Sequence, residues 1–197
     1  MTVAPPNAGA GGDGEIASLQ PDMRVLFAGA AATALLSFIC LPFPTAIASS
    51  LLGALMIAGA DVDARAYLLP DLVTFGATLA GFAAAFFLTP EYPWRSAGFA
   101  VLKALGAALA LIVLRRAHQR LRGVEGLGLG DVKLAAAIGA WLPLGLVPLC
   151  FALASSAALA SIAFRAPGSD LRTLRVPFGA YLCPALWLLY FVSALSA

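Results

Sequence analysis

The sequence predicts an all-α membrane protein, a polytopic bundle of about seven transmembrane helices (six to eight) with a cytoplasmic N-terminus. Of its 197 residues, 61% belong to the set AVILMFWYC, against roughly 45 to 50% in soluble domains even with glycine counted. Only 11% are charged, where about 25% is usual. Because a spanning helix needs about 20 apolar residues, these spans fill nearly the whole chain.

The first half of the chain supplies a tail and four predicted spans. Segment 1–21 is rich in proline and glycine and has no apolar run, so we expect a disordered cytoplasmic tail and not a signal peptide. Residues 25–60 carry no charge, and Pro42 and Pro44 divide them into a helical hairpin over about 25–41 and 45–62. Further spans are predicted over about 71–89 and 96–114. Lys103 lies inside the fourth span, where it must snorkel or pair.

The second half supplies three more spans. Residues 134–164 are uncharged and are interrupted by Pro143 and Pro148. They are too short for two spans of about 20 residues, so the first is expected to begin near residue 130, with Asp131 and Lys133 in its opening turn. The last span is predicted over about 176–196.

The basic residues predict the orientation of these spans. With the N-terminus inside and the C-terminus outside, ten of the twelve basic residues fall on the cytoplasmic side, as the positive-inside rule requires. They are Arg24, Arg65, Arg115, Arg116, Arg120, Arg122, Lys133, Arg165, Arg172 and Arg175. The net charge of +2 is too small to indicate nucleic-acid binding.

Several catalytic classes are excluded by the residues present. The sequence has no HExxH, no GxSxG and no GK[ST] phosphate loop, which argues against zinc proteases, serine hydrolases and nucleotide-binding enzymes. The single histidine, His118, is expected to be a solvated loop residue. The three cysteines stand apart with no CxxC, so neither a zinc ribbon nor a disulfide framework is expected.

Acidic residues at the ends of apolar spans are therefore the main candidates for chemistry. Four of them share the cytoplasmic side in the predicted topology: Asp61, Asp63, Asp71 and Asp131. Two carboxyl groups in a low-dielectric site cannot both ionise cheaply, so one keeps its proton. Such a pair supplies an acid and a base at one pH.

The local settings separate these four acids. Asp131 follows Gly128 and Gly130, which permit a bent, closely approached backbone, although an acid at a helix start can also serve only the macrodipole. Asp61 and Asp63 are two residues apart and point to nearly opposite helix faces, so only one of them can be the partner. Asp71 follows Pro70 and is expected to cap the third span more than to act in catalysis.

Together, these segments resemble the prepilin peptidase family, the membrane-embedded GxGD-type aspartic proteases. DARAYLLPD, from Asp63 through Pro70 to Asp71, fits a family pattern with the catalytic aspartate eight residues before the acid of a Pro-Asp pair, and this selects Asp63. The pattern G-x-G-D-x-K is matched by four residues: Gly128, Gly130, Asp131 and Lys133. The segment VPFGAYL, residues 176–182, also resembles the family, with Ala180 where proline is usual; we expect this departure to be tolerated.

The resemblance covers about residues 45–190 and implies a function. It implies a peptidase domain over 22–197 that removes the short basic leader of type IV prepilin or pseudopilin-like precursors, for a pilus or a secretion system, at the cytoplasmic face of the bacterial inner membrane. Asp63 and Asp131 would be the catalytic residues, with neither metal nor cofactor. N-methyltransferase activity is not expected, because the family's cysteine-paired domain is missing. Three acids are candidates for leader recognition: Asp61, Glu125 and Asp170.

Other functions are compatible with the same residues. A related GxGD protease could act on a different precursor. A small transporter or channel could line its ion path with Asp63, Asp131 and Lys103, although no internal repeat supports it. An inactive scaffold of a secretion complex is the third alternative. The expected partners are the precursor and the lipid bilayer; the oligomeric state is left open.

Overall fold

The computed structural model describes residues 21–122, 128–165 and 176–196, and every regular element in these ranges is helical. These ranges contain seven α-helices, numbered here in chain order, and one short 3₁₀ turn at Leu144–Leu146. The helices are α1 (Met23–Cys40), α2 (Phe43–Ala66), α3 (Asp71–Phe87), α4 (Pro93–Arg122), α5 (Leu129–Trp141), α6 (Val147–Arg165) and α7 (Gly179–Leu195). Most of the expected N-terminal tail, together with Glu125 and Asp170, lies outside the described residues.

Prolines separate neighbouring helices as the sequence predicts. Pro42 is the N-cap of α2 and Pro44 is the second residue of that helix, where a missing N–H breaks no intrahelical bond. Leu142 ends α5 in an extended conformation, which the following Pro143 favours. The predicted hairpin and the predicted break between the fifth and sixth helices are therefore both confirmed.

The helices differ in their capacity to cross a membrane. Four helical segments in the described ranges are long and apolar enough to span one: Met23–Cys40, Phe43–Ala66, Pro93–Leu121 and Leu144–Phe164. The apolar helices α3 and α7 are shorter, with 17 residues each. With 13 residues, α5 rises only about 20 Å, well below the roughly 30 Å of a hydrocarbon core. The chain is an all-α polytopic membrane protein with one short inner helix.

Helix α4 also extends beyond its predicted end. The apolar span was expected to stop at Arg115 and Arg116, but the helix runs on to Arg122. His118 therefore lies on a helix and is half-buried, so the expectation of a loop histidine is wrong. Basic side chains are good helix formers, which explains why the charged stretch continues the helix after the apolar residues end.

Helix α5 lies at the centre of the bundle, in contact with α3, α4 and α7. Eight of its thirteen residues are buried. A Cβ added to Gly139 would lie 2.4 Å from the backbone oxygen of Lys103, so α4 and α5 meet backbone to backbone, as small residues allow in membranes. The Lys103 ammonium donates to the Leu142 carbonyl at 2.9 Å. This intramembrane charge is thus paired with the negative C-terminal end of α5.

Polar side chains connect the remaining helices. The Trp141 indole donates to the Ala77 carbonyl at 2.7 Å, joining α5 to α3. The hydroxyls of Ser37 and Ser49 are 2.8 Å apart, joining α1 to α2, and the Trp187 indole donates to the Ser49 carbonyl at 3.2 Å, joining α7 to α2. Such interhelical bonds fix the helices relative to one another where apolar contact alone gives little preference over lipid.

Candidate functional site

Asp63 lies in the last turn of α2, and its side chain is held by a distant part of the chain. The residue is only 6% exposed. Its Oδ2 accepts a hydrogen bond from the Ala180 amide at 2.8 Å, across 117 residues of sequence, and the Gly179 backbone also bonds to this carboxyl group. The first two residues of α7 thus direct their free N–H groups at Asp63, as helix N-termini do with anions.

Gly179 makes this contact sterically possible. A Cβ at this position would lie 2.9 Å from both Cγ and Oδ2 of Asp63, and 2.3 Å from Cδ1 of Leu69. Leu69 belongs to the short connection between α2 and α3. The absence of a side chain at Gly179 therefore allows α7 to approach both Asp63 and that connection.

Asp131 is held by residues next to it in the sequence. It stands in the first turn of α5, is half-buried, and its carboxyl group accepts a hydrogen bond from the Gly128 backbone. A Cβ on Gly128 would lie 3.4 Å from Oδ2 of Asp131, whereas one on Gly130 would lie 3.0 Å from Cβ of Leu69. Gly130 thus lets the start of α5 pack against the α2–α3 connection.

Asp63 and Asp131 line the same cavity, although 68 residues separate them in the sequence. The cavity has a volume of about 280 Å³ and is called the aspartate cavity below. Its lining comes from the end of α2, the start of α3 and the start of α5: Asp63, Tyr67, Leu68, Leu69, Asp71, Gly128, Leu129, Gly130, Asp131 and Lys133. The fold therefore brings together the two acids that the sequence motifs single out.

Asp61 points away from this cavity. Its Oδ2 accepts a hydrogen bond from the Asp22 amide at 2.7 Å and pairs with the Arg65 guanidinium one turn later. Asp61 thus connects the start of α1 to the end of α2. Asp61 and Asp63 therefore lie on different faces of α2, and of these two acids only Asp63 lines the cavity with Asp131.

Asp71 and Lys133 form an ion pair at the rim of the cavity. The expectation that Asp71 caps α3 is wrong, because Pro70 occupies the N-cap position and no side chain caps this helix. Asp71 is instead the first helical residue, and its carboxylate binds Lys133, whose Nζ also lies 5.5 Å from the centre of the Phe75 ring. Asp71 and Lys133 therefore join the starts of α3 and α5, and Pro70 sets where α3 begins.

Two features of the site are missed by reasoning from single residues. Gly179 and Ala180 appear in the sequence only within a segment noted for its resemblance, with no indication that their backbone binds Asp63. Tyr67 and Leu69 appear only as spacer residues between Asp63 and Pro70. A helix-terminal amide or a spacer side chain has no sequence signature of its own, because its role depends on which distant group it meets.

A second, larger cavity of about 330 Å³ lies between α2, α3 and the end of α5. It contains no titratable side chain: its walls are Pro44, Ile47, Ala48, Leu51, Ala80, Ala83, Ala84, Phe87, Leu88 and Trp141. Without an acid, a base or a nucleophile it has no means of catalysis. Within the described ranges, no three His, Cys, Asp or Glu residues are grouped so that they could hold a metal ion.

Sequence comparisons relate the chain to known proteins. The profile of the type IV leader peptidase family matches residues 50–164, which include both aspartates of the cavity. A prepilin leader peptidase/N-methyltransferase of Xanthomonas campestris is 35% identical over 144 residues, 71% of this chain and 48% of that protein. Its counterpart in Aeromonas hydrophila is 34% identical over 143 residues, with 72% and 48% covered. The chain thus spans about half the length of these relatives. No solved structure gives a significant match.

Proposed function

The chain belongs to the type IV leader peptidase family, and from this premise we propose that it is a membrane-embedded aspartic endopeptidase. Its proposed substrates are type IV prepilin or pseudopilin-like precursors, from which it removes the short basic leader. The observation that carries this proposal is the presence of Asp63 and Asp131 in one cavity. The motifs that contain them are also the ones that resemble the family.

The proposed reaction is hydrolysis of one peptide bond by water held between the two carboxyl groups. The ionised carboxylate accepts a proton from water as the water oxygen attacks the carbonyl carbon, and the protonated carboxyl group donates to the carbonyl oxygen. When the tetrahedral intermediate collapses, the C–N bond breaks and the leaving nitrogen takes up a proton. The charge states exchange during the cycle, so neither aspartate is assigned as the permanent acid.

The different surroundings of the two carboxyl groups support a shared role. Amides of α7 donate to Asp63, and such bonds stabilise a carboxylate. Asp131 is more exposed and accepts from a glycine amide. The two carboxyl groups are thus held by amides of different elements, and both line the cavity in which the water would bind.

Peptidase activity alone is proposed for this chain. The resemblance associates N-methylation with a cysteine-paired domain, and the three cysteines of this chain, Cys40, Cys150 and Cys183, are all free. We therefore do not propose N-methyltransferase activity for this chain, although the relatives' name includes it. The four apolar helical segments long enough to span a bilayer support a location in the bacterial inner membrane, with the aspartate cavity at the cytoplasmic face.

The transporter alternative receives less support. It requires Asp63, Asp131 and Lys103 to line one path, but Lys103 bonds to Leu142 at the end of α5 opposite to Asp131 and does not line the aspartate cavity.

Of the three acids considered for leader recognition, only Asp61 lies within the described ranges, and its carboxylate forms an ion pair with Arg65.

Processing of a pilin precursor in membranes tests the proposal. The intact protein is compared with Asp63→Asn and Asp131→Asn, since each replacement keeps the side-chain shape and removes the titratable acid. We expect the precursor to shift to the mature size with the intact protein and to stay uncleaved with both variants. Retained cleavage in either variant contradicts the two-aspartate mechanism.

Glu91→Gln is the matched control, because it also converts an acid to an amide but lies exposed between α3 and α4, away from the cavity. It should process the precursor at the rate of the intact protein. Amounts of each variant in the membrane are compared by blotting. If the intact protein cleaves none of several pilin and pseudopilin precursors, the proposed substrate class is wrong.

A further inference from the structure

Tyr67 has an unusual backbone conformation at the end of α2. Its φ of 54° and ψ of 27° place it in the left-handed region, and it is the only non-glycine residue with positive φ in the described ranges. Helices commonly end with a left-handed residue, but glycine or asparagine usually fills the position, because a Cβ crowds the neighbouring carbonyl oxygen. A tyrosine is thus a poor choice for this turn on backbone grounds.

The turn itself needs only the backbone of this residue. The Tyr67 amide donates to the Asp63 carbonyl at 2.9 Å and closes the last turn of α2. That bond is available to any residue other than proline. The phenol hydroxyl bonds to no other described residue, and 54% of the residue is exposed. No hydrogen bond within the described chain explains the ring, and more than half of the residue is exposed.

The position of the ring suggests an explanation. Tyr67 lines the aspartate cavity together with Leu68 and Leu129, which are 57% and 63% exposed. These three side chains give an open, apolar wall beside two carboxyl groups. Backbone strain that persists next to a reactive site is commonly retained for function.

We propose that Tyr67 is a substrate-contacting residue that packs against an apolar side chain next to the bond to be cleaved. Leu68 and Leu129 complete the apolar wall around that side chain. The contact orients the scissile carbonyl group towards Asp63, which stands one helical turn before Tyr67. This inference rests on the proposed peptidase function and adds a determinant of substrate selection to it.

Replacement of Tyr67 by glycine removes the aromatic ring and keeps the turn, so it tests the two separately. Tyr67→Gly removes the side chain and relieves the left-handed backbone, so its thermal unfolding temperature in detergent should equal or exceed that of the intact protein. Its kcat/KM for a pilin precursor should fall about tenfold, mainly through a higher KM, as expected when a substrate contact is lost. Tyr67→Phe keeps the ring and should retain nearly full activity.

Changes in the substrate test the contact from the other side. A panel of precursors carries alanine in place of each apolar residue within two positions of the cleaved bond. The intact protein should cleave at least one of them about tenfold less well, and Tyr67→Gly should lose most of that discrimination. Tyr92→Gly is the control: Tyr92 is similarly exposed, at 59%, but does not line the cavity.

The outcomes distinguish this inference from the proposed function. Full efficiency of Tyr67→Gly beside an active intact protein overturns the inference alone. So does equal loss of activity in Tyr67→Phe and Tyr67→Gly, since that would show that the ring is not what matters. Absence of cleavage by the intact protein overturns the proposed function and the inference with it.

Discussion

Asp63 and Asp131 face the same cavity but are positioned by different kinds of contact. Asp63 is 6% exposed and is bound by amides of α7, 117 residues away at Ala180. Asp131 is half-buried and is bound by Gly128, three residues before it. One carboxyl group therefore depends on the docking of a distant helix, while the other depends on its own motif. Damage to the α7 contact should consequently affect the site more than damage near Asp131.

Among changes to the residues that support the two aspartates, Gly179→Ala is expected to have the largest effect. The added methyl group would lie 2.3 Å from Leu69 Cδ1 and 2.9 Å from the Asp63 carboxyl group, so Leu69 and the carboxyl group, or α7 itself, must shift. Displacement of a reacting group by about 1 Å can reduce catalysis about a hundredfold. We expect a loss of that order in kcat/KM for precursor processing, together with a lower unfolding temperature in detergent.

Gly128→Ala makes the matched comparison at the other aspartate. Its Cβ would lie 3.4 Å from Asp131 Oδ2, an ordinary contact, so most activity should survive. Gly145→Ala is the neutral control, because nothing lies within 4 Å of its added Cβ. If Gly128→Ala were as damaging as Gly179→Ala, the distinction between distant and local positioning would be incorrect.

An intermediate effect is expected from Ala180→Pro. Proline has no N–H, so the hydrogen bond to Asp63 Oδ2 is lost, while the second position of a helix has no intrahelical bond to lose. A hydrogen bond to a charged group is worth about 1.5 to 3 kcal/mol, and water can replace part of it. We expect kcat/KM to fall about tenfold, with little change in unfolding temperature.

This substitution also addresses the departure of the chain from the family pattern, in which proline is usual at this position. An unchanged rate in Ala180→Pro would mean that the Gly179 amide is sufficient to hold Asp63. Alanine and proline would then be functionally equivalent at position 180, in agreement with the sequence-based expectation that the departure is tolerated.

The smallest expected effect comes from breaking the ion pair of Lys133 with Asp71. The two side chains are 37% and 65% exposed, and exposed pairs contribute only about 0 to 1 kcal/mol. Lys133→Met should therefore lower kcat/KM by no more than about threefold, and Asp71→Asn by a similar amount. A loss as large as that in Asp131→Asn would indicate that Lys133 acts directly on the reacting groups.

Much of the fold was predictable because apolar length and proline position act locally. Pro42, Pro44 and Pro143 mark helix ends in the structure as they do in the sequence. The short length of α5 was less accessible, since its C-terminal half is uncharged and continues into the next apolar stretch. Its burial, and the hydrogen bond of Lys103 to the carbonyl of its C-cap residue Leu142, compensate for a helix too short to span the bilayer alone.

For the candidate site, the sequence indicated which acids to consider but not which residues hold them in place. The opposite faces of Asp61 and Asp63 follow from helical geometry alone, and the structure confirms them. The prediction that Asp71 is an N-cap is wrong, because its carboxylate binds Lys133 of another helix and not a backbone amide of its own helix. Sequence spacing contains no information about that partner.

The sequence by itself determined the membrane class, the positions of the helix breaks and which acids stand at helix ends, because hydropathy, proline chemistry and helical periodicity operate within about one helix length. Only the tertiary structure decided that Asp63 and Asp131 line one cavity, that α7 amides bind Asp63, and that Tyr67 lines the same cavity. These contacts join residues far apart in the chain, and they depend on how closely glycine-bearing surfaces such as Gly179 and Gly139 let helices approach.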